Sequence, residues 1–366
     1  MSAEPTVVLF TGVSSAISMT AIRTYPGYLT DPALRTGGRL KDEPEDFVVE
    51  EIPAYEPCGE GEHLYLWVEK RDVSADALQS HLSRQFGCSR NDIGMAGLKD
   101  RRAVTRQWVS APAKCESRVC AVETENIHLL RCDRHRNKLR TGHLKGNQFE
   151  IRLRECDAGG HNAATAIAEQ IARRGVPNLY GDQRFGFDGG TLRLGLDLLT
   201  GAASPSSISP AKRKFLLRLA LSAAQSALFN EVLARRLAEG RMHTVMAGDV
   251  MQVVRSGGPF VVEDAPTEQA RFDQRETVIT GPMFGPEMKS PAGPAAEFES
   301  QVLSDWSLTR AAFERFRNLT PGTRRPLLVW PENLDVHGDA YDLLIRFTLT
   351  PGAYATSVLR EFLKPG

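Results

Sequence analysis

A single carboxylate stands inside a cluster of cations in the stretch from Gly94 to Ser110. Asp100 has Lys99 before it and Arg101 and Arg102 after it. Nearby cations favour the ionised form of a carboxylate, and an ionised carboxylate can act as a nucleophile toward an electrophilic carbon or as a base. The alternative is a structural aspartate in a turn or at a helix N-cap. Residue types and spacing leave both readings open.

A basic tract follows this motif. Two glycines punctuate it, which predicts a strand, a turn and a second strand rather than a basic helix. Cations on such a segment can neutralise the phosphates of a nucleic acid, and Arg136, Lys138 and Arg140 are the candidates for that role. Lysine and arginine occur six times within fifteen residues, at Arg131, Arg134, Arg136, Lys138, Arg140 and Lys145.

Two residues at the end of the tract have the side chains that single-stranded RNA binding uses. Asn147 follows the tract directly, and Phe149 comes two residues later. An amide can read the edge of a base, and an aromatic ring can stack on an unstacked base. The alternative is that Phe149 is ordinary strand core and that Asn147 is a turn residue.

The whole chain carries no net charge, but the charge is unevenly distributed. Its 366 residues suggest about two domains. Residues 84–145 contain 14 Lys/Arg against 6 Asp/Glu, whereas residues 261–305 contain 3 against 9. A basic zone beside an acidic one fits a polyanion that binds one part of the molecule. Two solvated surfaces of opposite sign would give the same counts.

Several classes of site are missing from the sequence. It contains no GxGxxG, no GxxxxGK[ST], no HExxH and no GxSxG. The six cysteines form no CxxC pair, which predicts free thiols in a reducing cytoplasm. No segment has the apolar length of a membrane span, and the N-terminal run lacks the basic start of a signal peptide. We therefore expect no metal, no cofactor and no membrane association, and chemistry that rests on a side chain acting alone.

The hydrophobic pattern predicts an α+β chain. Strict alternation in "FEIRLR" and the apolar runs "DFVVEEI" and "HLYLWVEK" predict strands. Helices are expected at "SADALQSHLSRQFG", at "HNAATAIAEQIARRG" and from a capping box of Ser222 and Gln225 onward. Residues 255–300, rich in Pro, Gly and acids, are expected to form loops of a peripheral domain. The C-terminal segment reads as a strand, a Pro-Gly turn and a helix.

Six motifs occur in the order seen in the TruD family of tRNA pseudouridine synthases, which the chain resembles from Arg39 to Phe362. The resemblance implies a pseudouridine-synthase-type catalytic domain with a mixed, mainly antiparallel sheet, interrupted by an inserted α/β domain. The expected parts are an N-terminal extension (1–38), the catalytic domain (39–174 and 329–366) and the insertion (175–328). We also expect residues 1–18 to be dispensable, with Met19 as an alternative start. The motifs are "LKDEPEDFVVEE", "AGLKDRRAVTRQWVS", "LKGNQFEIRLR", "GVPNLYGDQRFG", "SAAQSALFNEVL" and "GAYATSVLREF".

The resemblance also implies an activity, the isomerisation of uridine to pseudouridine, with position 13 of tRNA as the usual bacterial target. Asp100 matches the catalytic aspartate, either as nucleophile at C1′ or as base at the ribose 2′ position. No metal, no cofactor and no obligate protein partner are implied beside the tRNA. The rival readings are a non-catalytic RNA-binding protein and a carboxylate-dependent nuclease, although nuclease sites usually hold a metal on several acids.

Further site residues follow from the same resemblance. Phe149 matches the aromatic residue beside the target base. The position of Tyr354 is commonly Phe in this family, and its hydroxyl would need a partner or water. The other matches are Phe47, Asn147 and Tyr354 as substrate contacts and Lys41 and Lys99 as basic positions that bind the RNA.

Overall fold

The structure, a computed structural model, describes residues 27–339 and 341–364. Two compact units make up this chain. We call Tyr28–Gly181 together with Pro326–Gly366 the large-sheet unit, and Asp182–Arg325 the inserted unit. Expectations about residues 1–18 and about Met19 lie outside the described residues.

Fifteen strands occur within the described residues. Seven precede the insertion in one sheet, and two more join that sheet after it. In chain order they are β1 (Gly37–Leu40), β2 (Phe47–Pro53), β3 (His63–Arg71), β4 (Gly94–Met95), β5 (Val104–Pro112), β6 (Ile127–His135), β7 (Leu144–Cys156), β8 (Val176–Pro177), β9 (Val250–Val253), β10 (Pro259–Val261), β11 (Thr277–Met283), β12 (Thr323–Pro326), β13 (Leu328–Val329), β14 (Glu332–Gly338) and β15 (Leu343–Leu349).

A nine-stranded sheet forms the large-sheet unit. Its main path runs β14-β15-β7-β2-β5-β3-β6, with β1 paired to β7 and β4 paired to β5. The β2–β5 pair is parallel, and the other pairs are antiparallel. The expected mixed, mainly antiparallel sheet and the α+β class are therefore confirmed. The basic tract is a strand, a turn and a strand as predicted, but β6 and β7 do not pair with each other.

Helices occur in both units. The first begins at the N-cap Ser74, whose side chain accepts from the Ala77 N–H, and it ends at Gly87, which has a φ of 62°. The pattern had predicted this helix and its glycine stop. The helices are α1 (Ala75–Phe86), α2 (Gly160–Arg174), α3 (Gly190–Thr200), α4 (Pro210–Ala238), α5 (Ala265–Asp273), α6 (Gly293–Asp305), α7 (Ala311–Glu314) and α8 (Ala355–Leu363).

The sheet is packed by helices that bury its apolar positions. Alternating residues of β7, Phe149, Ile151 and Leu153, join a core with apolar side chains of α2 and α8. A second core sits between β3 and α1, where Leu78 and Leu82 pack. Each fully buried side chain of this kind contributes about 1.5–3 kcal/mol. The period of two in β7 thus corresponds to the buried face of that strand.

Residues 28–38 pack onto the large-sheet unit, whereas the sequence had predicted an extension up to residue 38. The Glu361 carboxylate accepts from the backbone N–H of Leu29 and of Thr30, at 3.2 and 2.9 Å. The Thr30 hydroxyl also donates to it, at 2.7 Å. A buried carboxylate more than 330 residues away in the chain is a tertiary partner, and no local pattern announces it.

The insertion also begins and ends elsewhere than expected. The chain leaves the large-sheet unit after Gly181 and returns at Pro326. Residues 175–181 and 326–328, which had been assigned to the insertion, belong to the large-sheet unit. The reason is a short antiparallel pair, β8 with β13, that joins the outgoing and returning chain.

The inserted unit combines the helices α3–α7 with a four-stranded sheet of order β10-β9-β11-β12. The prediction of loops over residues 255–300 is wrong, because β10, α5, β11 and part of α6 lie there. The predicted helix start at Ser222 is also wrong. The helix α4 begins at Pro210, a residue that suits the first helical position, and Ser222 lies in its interior. Among the described residues, no helix has the length and apolarity to cross a membrane.

Candidate active site

Asp100 lies on the loop between β4 and β5, with 45% of its side chain exposed. Its Oδ2 accepts a hydrogen bond from the Lys41 Nζ at 2.8 Å. That Nζ also lies 3.8 Å from the centre of the Phe47 ring. The ammonium is therefore held between the face of the Phe47 ring and the Asp100 carboxylate. The structure thus brings Asp100, Lys41 and Phe47 together.

A second lysine contacts the same loop from inside the protein. The Lys70 Nζ donates to the backbone carbonyl of Asp100 at 2.9 Å and to that of Val73 at 2.7 Å. Burial lowers the pKa of Lys70 to about 8, with the Asp100 carboxylate opposing that shift. Lys70 thus remains mostly protonated at neutral pH.

Lys99 connects the motif to β2 and β7. Its Nζ donates to the Glu51 Oε2 at 3.0 Å and to the Asn147 Oδ1 at 2.7 Å. Only 5% of the Lys99 side chain is exposed. Burial raises the pKa of the Glu51 carboxyl, and Lys99 opposes the rise. The Lys99 ammonium therefore faces internal partners, where the sequence had predicted a contact with RNA.

Asn147 is held at one position by its strand. It pairs with Glu51 across β2 and β7 and with Leu349 across β7 and β15. A methyl group at the preceding Gly146 would lie 2.5 Å from the Leu349 carbonyl oxygen, so the close approach of these strands requires glycine. With its Oδ1 bound to Lys99, the Asn147 amide nitrogen is oriented by a protein partner. Asn147 is a strand residue, so the turn reading is wrong.

The aromatic residues of the motifs form a packed layer. The Phe47 and Phe149 rings meet edge to face at 6.1 Å, and Phe149 stacks on Phe347 at 5.2 Å. Phe149 is only 7% exposed. Phe149 is therefore part of the strand core, with its ring stacked on Phe347 and in edge-to-face contact with Phe47.

Tyr354 follows β15 at the strand end where Leu349 pairs with Asn147. It is half-buried and stands directly before α8. Its ring centre lies 5.7 Å from that of Tyr180. An aromatic residue therefore stands close in the chain to the sheet end that carries Asn147.

The basic turn between β6 and β7 packs against the segment that leads to Asp100. The Gly142 N–H donates to the Ala96 carbonyl at 2.8 Å. A methyl group at Gly94 would lie 2.2 Å from the Leu139 carbonyl oxygen, so this contact also requires glycine. A cavity of about 610 Å³ lies here and is lined by Gly97, Leu98, Lys138 and Arg140, among others. Lys138, Arg140 and Arg136 also line a second cavity, of about 420 Å³.

Three arginines of the tract bind surface acids. Arg131 pairs with Asp133 at 2.8 Å and with Glu56 at 3.1 Å. Arg134 pairs with Glu116 and Arg136 with Glu60. By contrast, the Lys138 ammonium donates to a backbone carbonyl, that of Asn91. Neither Lys138 nor Arg140 has an acidic partner among the described residues.

Sequence reasoning missed Lys70 and Glu51. A signal for Lys70 was present, since it shares the parity of Leu64, Leu66 and Val68, which predicts an inward side chain. Glu51 has the same parity as Phe47 and Val49 in β2. Charged residues on a buried strand face are rare unless they are paired. The local pattern could therefore flag both residues, although it could not name their partners.

The described ranges contain no group of three or more His, Cys, Asp or Glu that could hold a metal ion. The site offers one half-exposed carboxylate that accepts a hydrogen bond from a lysine, an oriented amide and two further cations on the adjoining turn. Such a carboxylate can attack a carbon or accept a proton.

Comparisons with known proteins agree with this geometry. The family model described as tRNA pseudouridine synthase D (TruD) matches residues 26–206 and 204–362. The tRNA pseudouridine synthase D of Anaeromyxobacter sp. (strain Fw109-5) is 41% identical over 90% of this chain and 94% of its own length. That of Thermus thermophilus is 42% identical, with 93% of this chain and 92% of its own length covered.

A solved structure is similar as well. The crystal structure of a Methanosarcina mazei protein assigned as TruD superposes with a TM-score of 0.76 and 25% identity. The match covers 96% of this chain and 99% of that one. By sequence over most of its length and by fold, this chain belongs to the tRNA pseudouridine synthase D (TruD) family.

Proposed function

We propose that this pseudouridine synthase modifies uridine 13 of tRNA and that Asp100 is its catalytic carboxylate. The observation that carries the assignment is the state of Asp100, whose side chain is half-exposed and bound to the Lys41 ammonium at 2.8 Å. A carboxylate in that environment is accessible to a substrate and is fixed in place by a neighbouring cation.

The reaction needs one bond broken and one bond made at C1′ of the ribose. The N1–C1′ bond breaks, the uracil turns, and a C5–C1′ bond forms, after which C5 loses its proton and N1 gains one. Asp100 would act either as nucleophile at C1′ or as base at the 2′ position. Atoms are only rearranged, so no oxidant, reductant or water is consumed.

The other residues of the site bind and orient the RNA in this proposal. A base in a folded tRNA must leave its stack to reach Asp100. We assign stacking on the extruded base to Tyr354, which is half-buried, and an edge contact to the amide nitrogen of Asn147. Phe47 supports the Lys41 ammonium and packs on Phe149, and the small exposed part of Phe149 would lie beside the base. Phosphates would lie along Arg136, Lys138 and Arg140.

The proposal also covers the binding partner of the enzyme and its location in the cell. Its partner is tRNA, and no protein partner is required by the chemistry. A cytoplasmic location follows from that substrate. The six cysteines agree with it, since all lie in the described residues and all are free thiols.

The test uses unmodified tRNA that carries uridine at position 13. After incubation with the full chain, pseudouridine is mapped by carbodiimide treatment and primer extension. We expect one new stop, one nucleotide to the 3′ side of position 13. A tRNA with cytidine at position 13 is the matched control and should give no stop.

Other outcomes separate the parts of the proposal. A stop at another uridine would contradict position 13 while leaving the enzyme class intact. Binding of the tRNA without any stop would favour a non-catalytic RNA-binding protein. Equal activity in Asp100→Asn would remove Asp100 from the chemistry.

A further inference from the structure

Lys70 is a buried cation that the proposed chemistry does not use. Its side chain lies at the end of β3 with 0% exposure, on the face that also buries Leu64, Leu66 and Val68. Lysine is almost never fully buried unless it is paired with a carboxylate. In the described residues Lys70 forms no ion pair, and its hydrogen bonds go to two backbone carbonyls.

One of these carbonyls belongs to Asp100 itself, at 2.9 Å, and the other to Val73, at 2.7 Å. Hydrogen bonds from an ammonium are short and strong compared with neutral ones. They therefore join the Asp100 backbone to the segment that follows β3. The Asp100 side chain is held at its outer end by Lys41 and its main chain is held from below by Lys70.

Burying the Lys70 ammonium inside the protein lowers the stability of the folded state. Removing an ammonium from water without a counter-ion disfavours the charged form, and apolar residues of similar volume often serve stability as well or better. A lysine at this position is therefore poorly explained by packing. The hydrogen bond from Lys70 to the backbone carbonyl of Asp100 explains the presence of a lysine here better.

We propose that Lys70 is a positioning residue that holds the main chain of Asp100 so that the carboxylate faces the reacting ribose. The inference rests on the proposed role of Asp100. Lys70 acts through Asp100 and does not contact the RNA, because its side chain is not exposed. A displacement of about 1 Å in a reacting group can reduce a rate about a hundredfold.

The test is Lys70→Met, which keeps the length of the side chain and removes its charge and its hydrogen bonds. We expect the single-turnover rate on tRNA to fall about a hundredfold. The tRNA affinity should stay within about twofold, because phosphate contacts elsewhere supply it. The melting temperature should not decrease.

A second buried lysine of the same unit provides a matched control. The Lys364 Nζ donates to the Thr30 hydroxyl at 2.8 Å and to the Glu361 carbonyl at 2.7 Å. Lys364→Met should lower the melting temperature and leave the rate per folded molecule unchanged. A general sensitivity of the enzyme to loss of buried lysines would instead reduce both rates.

The outcomes distinguish this inference from the proposed function. If the unchanged protein modifies tRNA and Lys70→Met does so at the same rate, Lys70 does not position Asp100. A rate that falls only in proportion to the folded fraction would show a purely structural residue. If Lys70→Met does not fold, Lys70→Gln is judged by the same criteria, and failure of both to fold overturns the proposal. An inactive unchanged protein would contradict the proposed function itself.

Discussion

Two groups of cations in the large-sheet unit differ in what they bind. Lys41, Lys70 and Lys99 surround Asp100, and each donates to a group of the site: a carboxylate, a backbone carbonyl or an amide oxygen. Arg131 and Arg134, by contrast, lie on the surface and pair with nearby acids. Each of these residues adds one positive charge to a count made from the sequence, so such a count does not distinguish the two groups.

The difference shows that burial decides the role of a cation. A surface ion pair contributes only about 0–1 kcal/mol and is screened by salt. A buried ammonium interacts strongly with its partners, and removing either member of a buried pair costs about 3–5 kcal/mol. The buried lysines of the site, Lys70 and Lys99, therefore set geometry, whereas the tract contributes an adjustable surface charge. On this surface, Lys138 and Arg140 should bind phosphate better than the acid-paired arginines.

The largest expected effect is on Asp100. Asp100→Asn should reduce single-turnover activity by roughly 10³-fold or more, because the amide can neither attack nor accept a proton. Folding and tRNA affinity should be kept, as measured by melting temperature and filter binding. Asp42→Asn, which changes a neighbouring surface carboxylate, is the control and should retain activity. Substantial activity in Asp100→Asn would contradict the view that these lysines serve a catalytic carboxylate.

The next effect concerns the buried pair. Lys99→Met leaves the Glu51 carboxylate buried without its cation, so we expect a loss of about 3–5 kcal/mol in the free energy of unfolding of the large-sheet unit. The double variant Lys99→Met with Glu51→Gln should recover much of it. Urea denaturation measures both. Arg134→Gln, which breaks a surface pair, should cost less than about 1 kcal/mol, and an equal loss there would erase the comparison.

The pH dependence of stability tests whether Lys70 is buried as a charge, which distinguishes it from the surface arginines. The pKa of Lys70 is lowered from 10.5 to about 8 in the folded protein. Between these values the unfolded chain binds more protons at this residue, so its contribution to stability rises with pH. The shift is on the order of 3 kcal/mol in total. The groups acting on Lys70 are Asp100, Asp72 and Lys99.

The measurement compares the unchanged protein with Lys70→Met. The stability advantage of Lys70→Met should be largest below about pH 8 and should shrink as the pH rises toward 10.5. Unfolding in urea at several pH values gives the difference, in which other titrating groups cancel. If the difference in free energy of unfolding between the two proteins stays constant with pH, the pKa of Lys70 is not lowered by burial.

The smallest effect is on the surface tract. Changing both Lys138 and Arg140 to Gln should weaken tRNA binding about tenfold and reduce the slope of log affinity against log salt by about one for each lost phosphate contact. Changing Arg131 and Arg134 to Gln removes the same charge from acid-paired positions and should alter the slope less. Equal changes in the two variants would show that pairing with acids does not matter for RNA binding.

Much of the fold was readable from local pattern. The alternation in β7, the Ser74 cap and Gly87 stop of α1 and the final strand, turn and helix follow from propensities that act within a few residues. The local pattern could not predict those parts of the fold that depend on partners distant in the sequence. Residues 28–38 are ordered by Glu361, and the boundaries of the insertion are decided by the pairing of β8 with β13.

The candidate site also has features that the sequence predicts and features that depend on contacts between distant elements. Sequence by itself determined that Asp100 stands among cations, that a basic tract precedes Asn147 and that the motifs follow the order of one family. It did not determine which cations are buried, because that depends on the register of β2 between β5 and β7. Only this pairing brings Glu51 to Asn147 and lets Lys99 reach both, and only the packing of β3 turns Lys70 inward beneath Asp100. Burial is a property of elements distant in the chain, and the interaction energy of a charge depends on burial more than on its identity.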